Sequence, residues 1–287
     1  MKKYQSNRHY KKHLLILVTI LTVVFFYMFL NKSSQINSVE VKTINDLVFK
    51  PKSKNDFRIF LPENNQLEPY YVATNNFSNQ GSVLLIREYV WDEPMMQQEN
   101  RETTYYATSI PDKFLNKEFI KRFPEELQIK IPFTKVVIRD NEFRSGSNSY
   151  EKISRQLFLF NGPEWSDYLI PMWDEQGLEI FNFFDKNDFP YRKARLIDEM
   201  EGKVWKRAVG WWARSDKTGE RILTDVFTHD GKISLTDLQS FAYVRPAFCL
   251  PPTLPVKQIE LLGEKIYVLE DYEFETINEK VFIEDEE

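Results

Sequence analysis

Residues 211–250 read WWARSDKTGERILTDVFTHDGKISLTDLQSFAYVRPAFCL. β-formers dominate the stretch. Trp211-Trp212 leads into a polar turn at Asp216-Lys217-Thr218-Gly219, and Ile222–Phe227 is strand-like. Asp230-Gly231 is a hairpin signal. Lys232-Ile233-Ser234-Leu235 then alternates polar and apolar, the period of a half-buried strand. Tyr243-Val244-Arg245 precedes Pro246, and Pro251-Pro252 closes the run.

Upstream of it the signals turn helical. Asp174 is placed to cap a helix carrying Leu178, Phe181 and Phe184. Earlier, Ser109 is a candidate N-cap with Pro111 in the first turn. Phe114, Leu115, Phe119 and Phe123 follow at roughly helical spacing. Pro124 opens another short turn with Leu127 and Ile131 inward. Before these lie strand candidates at Phe57–Phe60, Tyr70–Ala73 and Ser82–Ile86, the last two joined by a turn at Asn79-Gln80-Gly81. Strands at both ends with helices between predict a compact α+β domain over 55–252. Residues 31–54 read as a polar stalk in which Ile44–Phe49 is a strand or a docking segment. Residues 253–287 read as an acidic C-terminal extension whose apolar runs, Ile266–Leu269 and Val281–Ile283, either add two strands or dock on a partner.

The N-terminus has a different character. Residues 1–13, MKKYQSNRHYKKH, hold five Lys/Arg and no acid, and residues 14–30, LLILVTILTVVFFYMFL, hold no charge. These 17 residues span roughly 25 Å as a helix, near the lower limit for a bilayer. No small-residue cleavage site follows. The expectation is a basic cytoplasmic segment at 1–13 and an uncleaved transmembrane signal anchor at 14–30, embedded in the lipid bilayer. The positive flank then sets a single-pass topology in the cell membrane, with the N-terminus cytoplasmic and the C-terminal domain extracellular. The whole chain has 38 basic and 43 acidic side chains. Without the five basic residues of the first segment, the remainder carries a net −10, which disfavours nucleic acid as a partner. One cysteine, Cys249, allows no internal disulfide. An exported, disulfide-free chain rich in Lys, Asn, Ile and Phe suits a Gram-positive cell surface.

Several blocks together resemble a large bacterial family of domains of unknown function, often found on exported Gram-positive proteins. They are Glu68-Pro69-Tyr70-Tyr71-Val72, Val83-Leu84-Leu85-Ile86, Ser109 through Phe119, Trp211-Trp212-Ala213-Arg214-Ser215, Asp230-Gly231 and Tyr243-Val244-Arg245-Pro246-Ala247. Tyr70 stands where that family usually has Trp, Asp112 or Lys113 where it has Arg, and Tyr243 where it has Gly. The resemblance covers roughly 55–252. The closing strands look similar to those of formylglycine-generating-enzyme and C-type-lectin-like folds, which implies a compact mixed fold with long loops, not a shared activity.

The chemistry is sparse. The generating enzymes need a cysteine pair for copper, and this chain has one cysteine. Cys249 in Ala247-Phe248-Cys249-Leu250 reads as packing, and His229 beside Asp230-Gly231 as an exposed turn residue. No His cluster, calcium loop, P-loop, G-x-G-x-x-G or G-x-S-x-G occurs, so no cofactor or metal is expected. Trp212, Arg214, Arg245 and Trp173 are the candidate binding surface. On an alternating strand one of Trp211 and Trp212 faces outward, and an outward Trp beside an Arg suits stacking on a sugar or capping a ligand. The competing reading packs both Trp and pairs both Arg inside. The functional expectation is a non-catalytic recognition module for a protein or a glycan. The alternatives are a cell-envelope hydrolase using loop carboxylates around 160–220, or a structural subunit of a membrane complex.

Overall fold

The computed structural model describes residues 41–50, 57–78, 80–99, 105–139, 150–160, 193–200, 203–214, 223–230 and 232–283. Its principal sheet is built from β1 (Arg58–Glu63), β2 (Gln66–Phe77), β3 (Ser82–Arg87), β7 (Leu157–Leu159), β14 (Pro246–Leu250), β15 (Val256–Leu261), β16 (Glu264–Leu269) and β17 (Thr276–Ile277). The order is β15-β16-β1-β2-β3-β14-β7, with β17 parallel to the start of β2. β1 and β16 are parallel neighbours, and the other adjacent pairs along this order are antiparallel. Smaller sheets pair β4 (Met95–Met96) with β13 (Phe241–Ala242), β5 (Thr134–Arg139) with β6 (Tyr150–Arg155), and β8 (Ala194–Met200) with β9 (Lys203–Val209). A three-stranded sheet joins β10 (Trp211–Trp212), β11 (Leu223–Phe227) and β12 (Ile233–Asp237). The helices are short: α1 (Ile110–Lys117), α2 (Glu125–Lys130) and 3-10 turns such as Phe119–Arg122.

Both faces of the central strands are covered. In β3, Val83 and Leu85 join one core cluster and Leu84 and Ile86 the other. In β14, Phe248 and Leu250 face the first, and Ala247 and Cys249 the second. That is period-two alternation with no solvent side, so the strands read as continuous apolar runs. The first face is roofed by Leu115, Phe119, Phe123, Leu127 and Ile131 from α1, the 3-10 turn and α2. Ser109 Oγ accepts the Asp112 N–H at 3.1 Å, so the predicted cap and the proline beside it stand. The turn before β3 also forms, with Gly81 at φ 68° and its N–H on Asn76 Oδ1 at 2.8 Å.

Two expectations are corrected. The class is mostly β, 49% strand against 17% helix, rather than α+β. The Phe119–Phe123 spacing belongs to a short 3-10 turn, and the C-terminal strands add to the sheet. The single-pass anchor is also overturned. Among the described residues no helix is long and apolar enough to cross a membrane. The run 14–30 itself lies outside the described residues. The extracellular, cell-surface assignment rested on that anchor and goes with it.

The limits of the folded unit also differ from those read in sequence. One compact unit runs from Val41 to Glu287. Ile44 and Leu47, in the segment expected to be a stalk, are fully buried, and the Ile44 N–H bonds the Leu254 carbonyl at 3.0 Å. The acidic extension supplies β15, β16 and β17.

Candidate functional site

Of the residues expected to form a binding surface, Trp212, Arg214 and Arg245 are interior. Trp211 and Trp212 do point to opposite sides, but into two cores, and both are fully buried. The Trp212 indole N–H donates to the Met95 carbonyl at 2.7 Å. Arg214 donates to the Val137 and Leu159 carbonyls at 3.0 Å each. Arg245 donates to the Arg87 carbonyl at 2.8 Å and lies over Trp211 and Tyr71. Burial pulls its guanidinium down to about 10. These side chains tie strands together and offer no ligand a face. Cys249 is buried in β14, and His229 is exposed between β11 and β12. Trp205 is 44% exposed on β9. Trp173, the Asp174 helix and the carboxylates of 161–192 lie outside the described residues. Among the described residues no group of three or more His, Cys, Asp or Glu is placed to hold a metal ion.

A different constellation forms at one end of the central sheet. Register sets Leu61 opposite Glu68, Glu63 opposite Gln66, and Tyr70 opposite Arg87. Counting by twos, Ile59-Leu61-Glu63, Val72-Tyr70-Glu68 and Val83-Leu85-Arg87 all run along the same face. Each line starts in the core and ends in a charge. Asn64 and Asn65, at φ 47° and 63°, make the two-residue turn that brings the first two lines together. The Asn64 N–H bonds the Arg122 carbonyl at 2.6 Å, which fixes the 3-10 turn over this end.

The charges are tightly interlocked. Arg87 Nε donates to Glu63 Oε1 at 2.9 Å, and Nη2 lies 3.2 Å from Glu68 Oε2. Nη1 donates to the Tyr89 and Val90 carbonyls at 2.9 Å. The Tyr70 hydroxyl donates to Glu63 Oε1 as well. Arg122 Nε stands 3.6 Å from Glu63 Oε2, and Asn278 Nδ2 donates to Glu68 Oε1 at 3.0 Å. Burial opposes the charge on Arg87, yet Glu63 and Glu68 hold it protonated above its ordinary value. Burial pushes Glu68 up to about 6 despite Arg87, and drives the Tyr70 hydroxyl well above the usual phenol range.

Glu68 and Arg87 of this cluster floor a cleft of about 280 Å³ whose walls include Gln66, Trp91, Asp92, Arg122, Asn278 and Lys280. The volume is near the lower end for a small-molecule site, room for one sugar or amino-acid unit. The Arg122 guanidinium lies over the Trp91 indole, 4.3 Å from its centre. Among the described residues, Trp91 Nε1 and Arg122 Nε are buried without a hydrogen-bond acceptor. Glu63, Arg87 and Arg122 escaped the sequence reading. The signal was there: a charge at core parity ending an apolar strand, twice, in Ile59-Leu61-Glu63 and Val83-Leu85-Arg87.

The family described as Domain of unknown function (DUF6273) matches residues 80–252. The chain belongs to this family. No curated protein and no solved structure matches it. The DUF6273 segment contains Arg87, Trp91 and Arg122, whereas Glu63, Glu68, Asn278 and Lys280 flank it in sequence. The cleft is therefore lined mostly by the family segment and completed by the flanks on either side of it.

Proposed function

We propose that the protein is a non-catalytic recognition module that seats a small polar unit of a glycan or peptide in the cleft over Glu68 and Arg87. The observation that carries this is the commitment of the carboxylates. Glu63 is engaged by Tyr70, Arg87 and Arg122, and Glu68 by Arg87 and Asn278. Groups so committed organise a pocket better than they attack a substrate. The likeness of the closing strands to C-type-lectin-like and formylglycine-generating-enzyme folds belongs to this proposal too, as a likeness of strands and not of activity.

One observation favours catalysis instead: a carboxyl titrating near 6 beside a cleft is the profile of a general acid. The two readings separate by experiment. The full-length chain is passed over arrays of glycans and short peptides, and hits are incubated for product. Recognition predicts capture without cleavage, lost in Trp91→Ala while cooperative melting persists. Released product, or capture indifferent to Trp91→Ala, rejects it.

A further inference from the structure

The principal sheet stops differently at its two ends. At one end β15 keeps Lys257 and Glu260 exposed, the kind of charged edge that discourages a further strand. At the other end β7 has no such guard. Leu157-Phe158-Leu159, with Phe160 after it, holds neither a charge nor a proline. Such an edge is a template for another strand. Its backbone is nonetheless closed. Phe158 faces Ala247 in the pairing with β14, and alternation turns the N–H and C=O of Leu157 and Leu159 away from β14. All four of these groups are taken by side chains. Asn116 of α1 meets Leu157 twice: its Oδ1 accepts the N–H at 3.1 Å and its Nδ2 donates to the carbonyl at 2.8 Å. A facing strand residue would exchange the same pair of bonds. The Tyr106 hydroxyl accepts the Leu159 N–H at 2.9 Å, and Arg214 Nη1 donates to the Leu159 carbonyl at 3.0 Å. The Asn116 amide is itself held. Its Nδ2 also reaches the Asp112 carbonyl at 3.0 Å, and Arg155 Nε donates to both Asp112 carboxylate oxygens, at 2.8 and 3.0 Å.

We infer that Asn116, Tyr106 and Arg214 take the place of a neighbouring strand on β7, and so bar a second copy of the chain from adding to this end of the sheet. This holds whatever the cleft binds. A second copy is the partner the edge fits, because the run is self-complementary. Two-fold antiparallel pairing centred on Phe158 sets Leu157 of each copy against Leu159 of the other, with every outward N–H facing a carbonyl and no charge between them. Because α1 lies against this edge, a copy enters only where α1 lifts, and lifting must first break the two Asn116 bonds.

The test combines amide hydrogen exchange with sedimentation, on the full-length chain labelled with nitrogen-15. Tyr106→Phe removes one oxygen and keeps the ring. It should speed exchange at Leu159 about tenfold and leave Leu157 as it was. Asn116→Leu should do the same at Leu157 and leave Leu159 as it was. Raised in concentration, the double variant should sediment at twice the mass of the native chain, and the opened amides should regain protection as it does so. Ser109→Ala loosens the start of α1 without touching the edge, and should keep the native mass and both amides protected. A uniform rise in exchange along β7 and β14 in the single variants overturns the inference, because general loosening then accounts for it. Unchanged exchange at Leu157 and Leu159 overturns it as well. So does a double variant that keeps the native mass at every concentration with both amides open, since the bare edge then needs no bar. If the double variant does not fold, Tyr106→Phe alone is judged by the same two readouts.

Discussion

Glu68 sits where burial and ion pairing oppose each other, and burial wins. Its folded-state value of about 6 lies above the ordinary 4.5, so the native state holds the proton more tightly than the unfolded chain does. The stability this contributes is whole below about pH 4.5 and is lost as the pH rises through about 6. A gap of that size corresponds to about 2 kcal/mol. Glu68→Gln keeps the acceptor for Asn278 and removes the titration. Relative to the native chain, the variant should therefore gain about 2 kcal/mol between pH 4 and pH 7.5, read by urea unfolding at both ends. An unchanged difference would mean that Arg87 holds Glu68 ionised throughout. At this scale the sequence left two readings open, an outward Trp beside an Arg or both Trp packed, and both are packed although alternation holds. What residue order does not contain is that a second layer covers the other side.

Among the elements, α1 is the most legible. Ser109 and Pro111 marked its start, and the hydroxyl does satisfy a first-turn N–H. Ser109→Ala should cost about 1 kcal/mol, measured as a lowered urea midpoint at unchanged slope. The element's far end was less legible. Phe119 and Phe123 keep helical spacing with Leu115, yet the chain tightens into a 3-10 turn and Phe123 is extended, at φ −78° and ψ 148°. Pro124 accounts for this, because its ring disfavours helical backbone in the residue before it. The phenylalanines still reach the core, since burial depends on where the side chains land and not on the hydrogen-bond pattern that carries them. The charges closing β1, β2 and β3 are of the same kind. They break apolar alternation in view of any reader, but only the register of three strands brings them to one place.

For the whole molecule, the DUF6273 segment is not the folded unit. It ends at residue 252, whereas β16 pairs with β1 in the middle of the sheet through Phe60 and Val268, and β17 flanks β2. Deleting residues 253–287 should strip this side of the sheet and expose Phe60 and Leu67, both about 1% exposed in the intact chain. The truncated chain is expected to lose cooperative melting and to aggregate on size-exclusion chromatography. A melting midpoint equal to that of the intact chain would show the segment to be an appendage. The sequence by itself determined the strand-forming stretches, the cap of α1, the turns at Gly81 and Asp230, the family likeness and the single buried thiol, because each is set by neighbours along the chain. Only the tertiary structure decided that both sheet faces are covered, that the two ends of the chain complete the sheet, and that Glu63, Glu68, Arg87 and Arg122 meet beneath one cleft. Burial and ion pairing join residues far apart in the chain, and local spacing holds no record of which of them will meet.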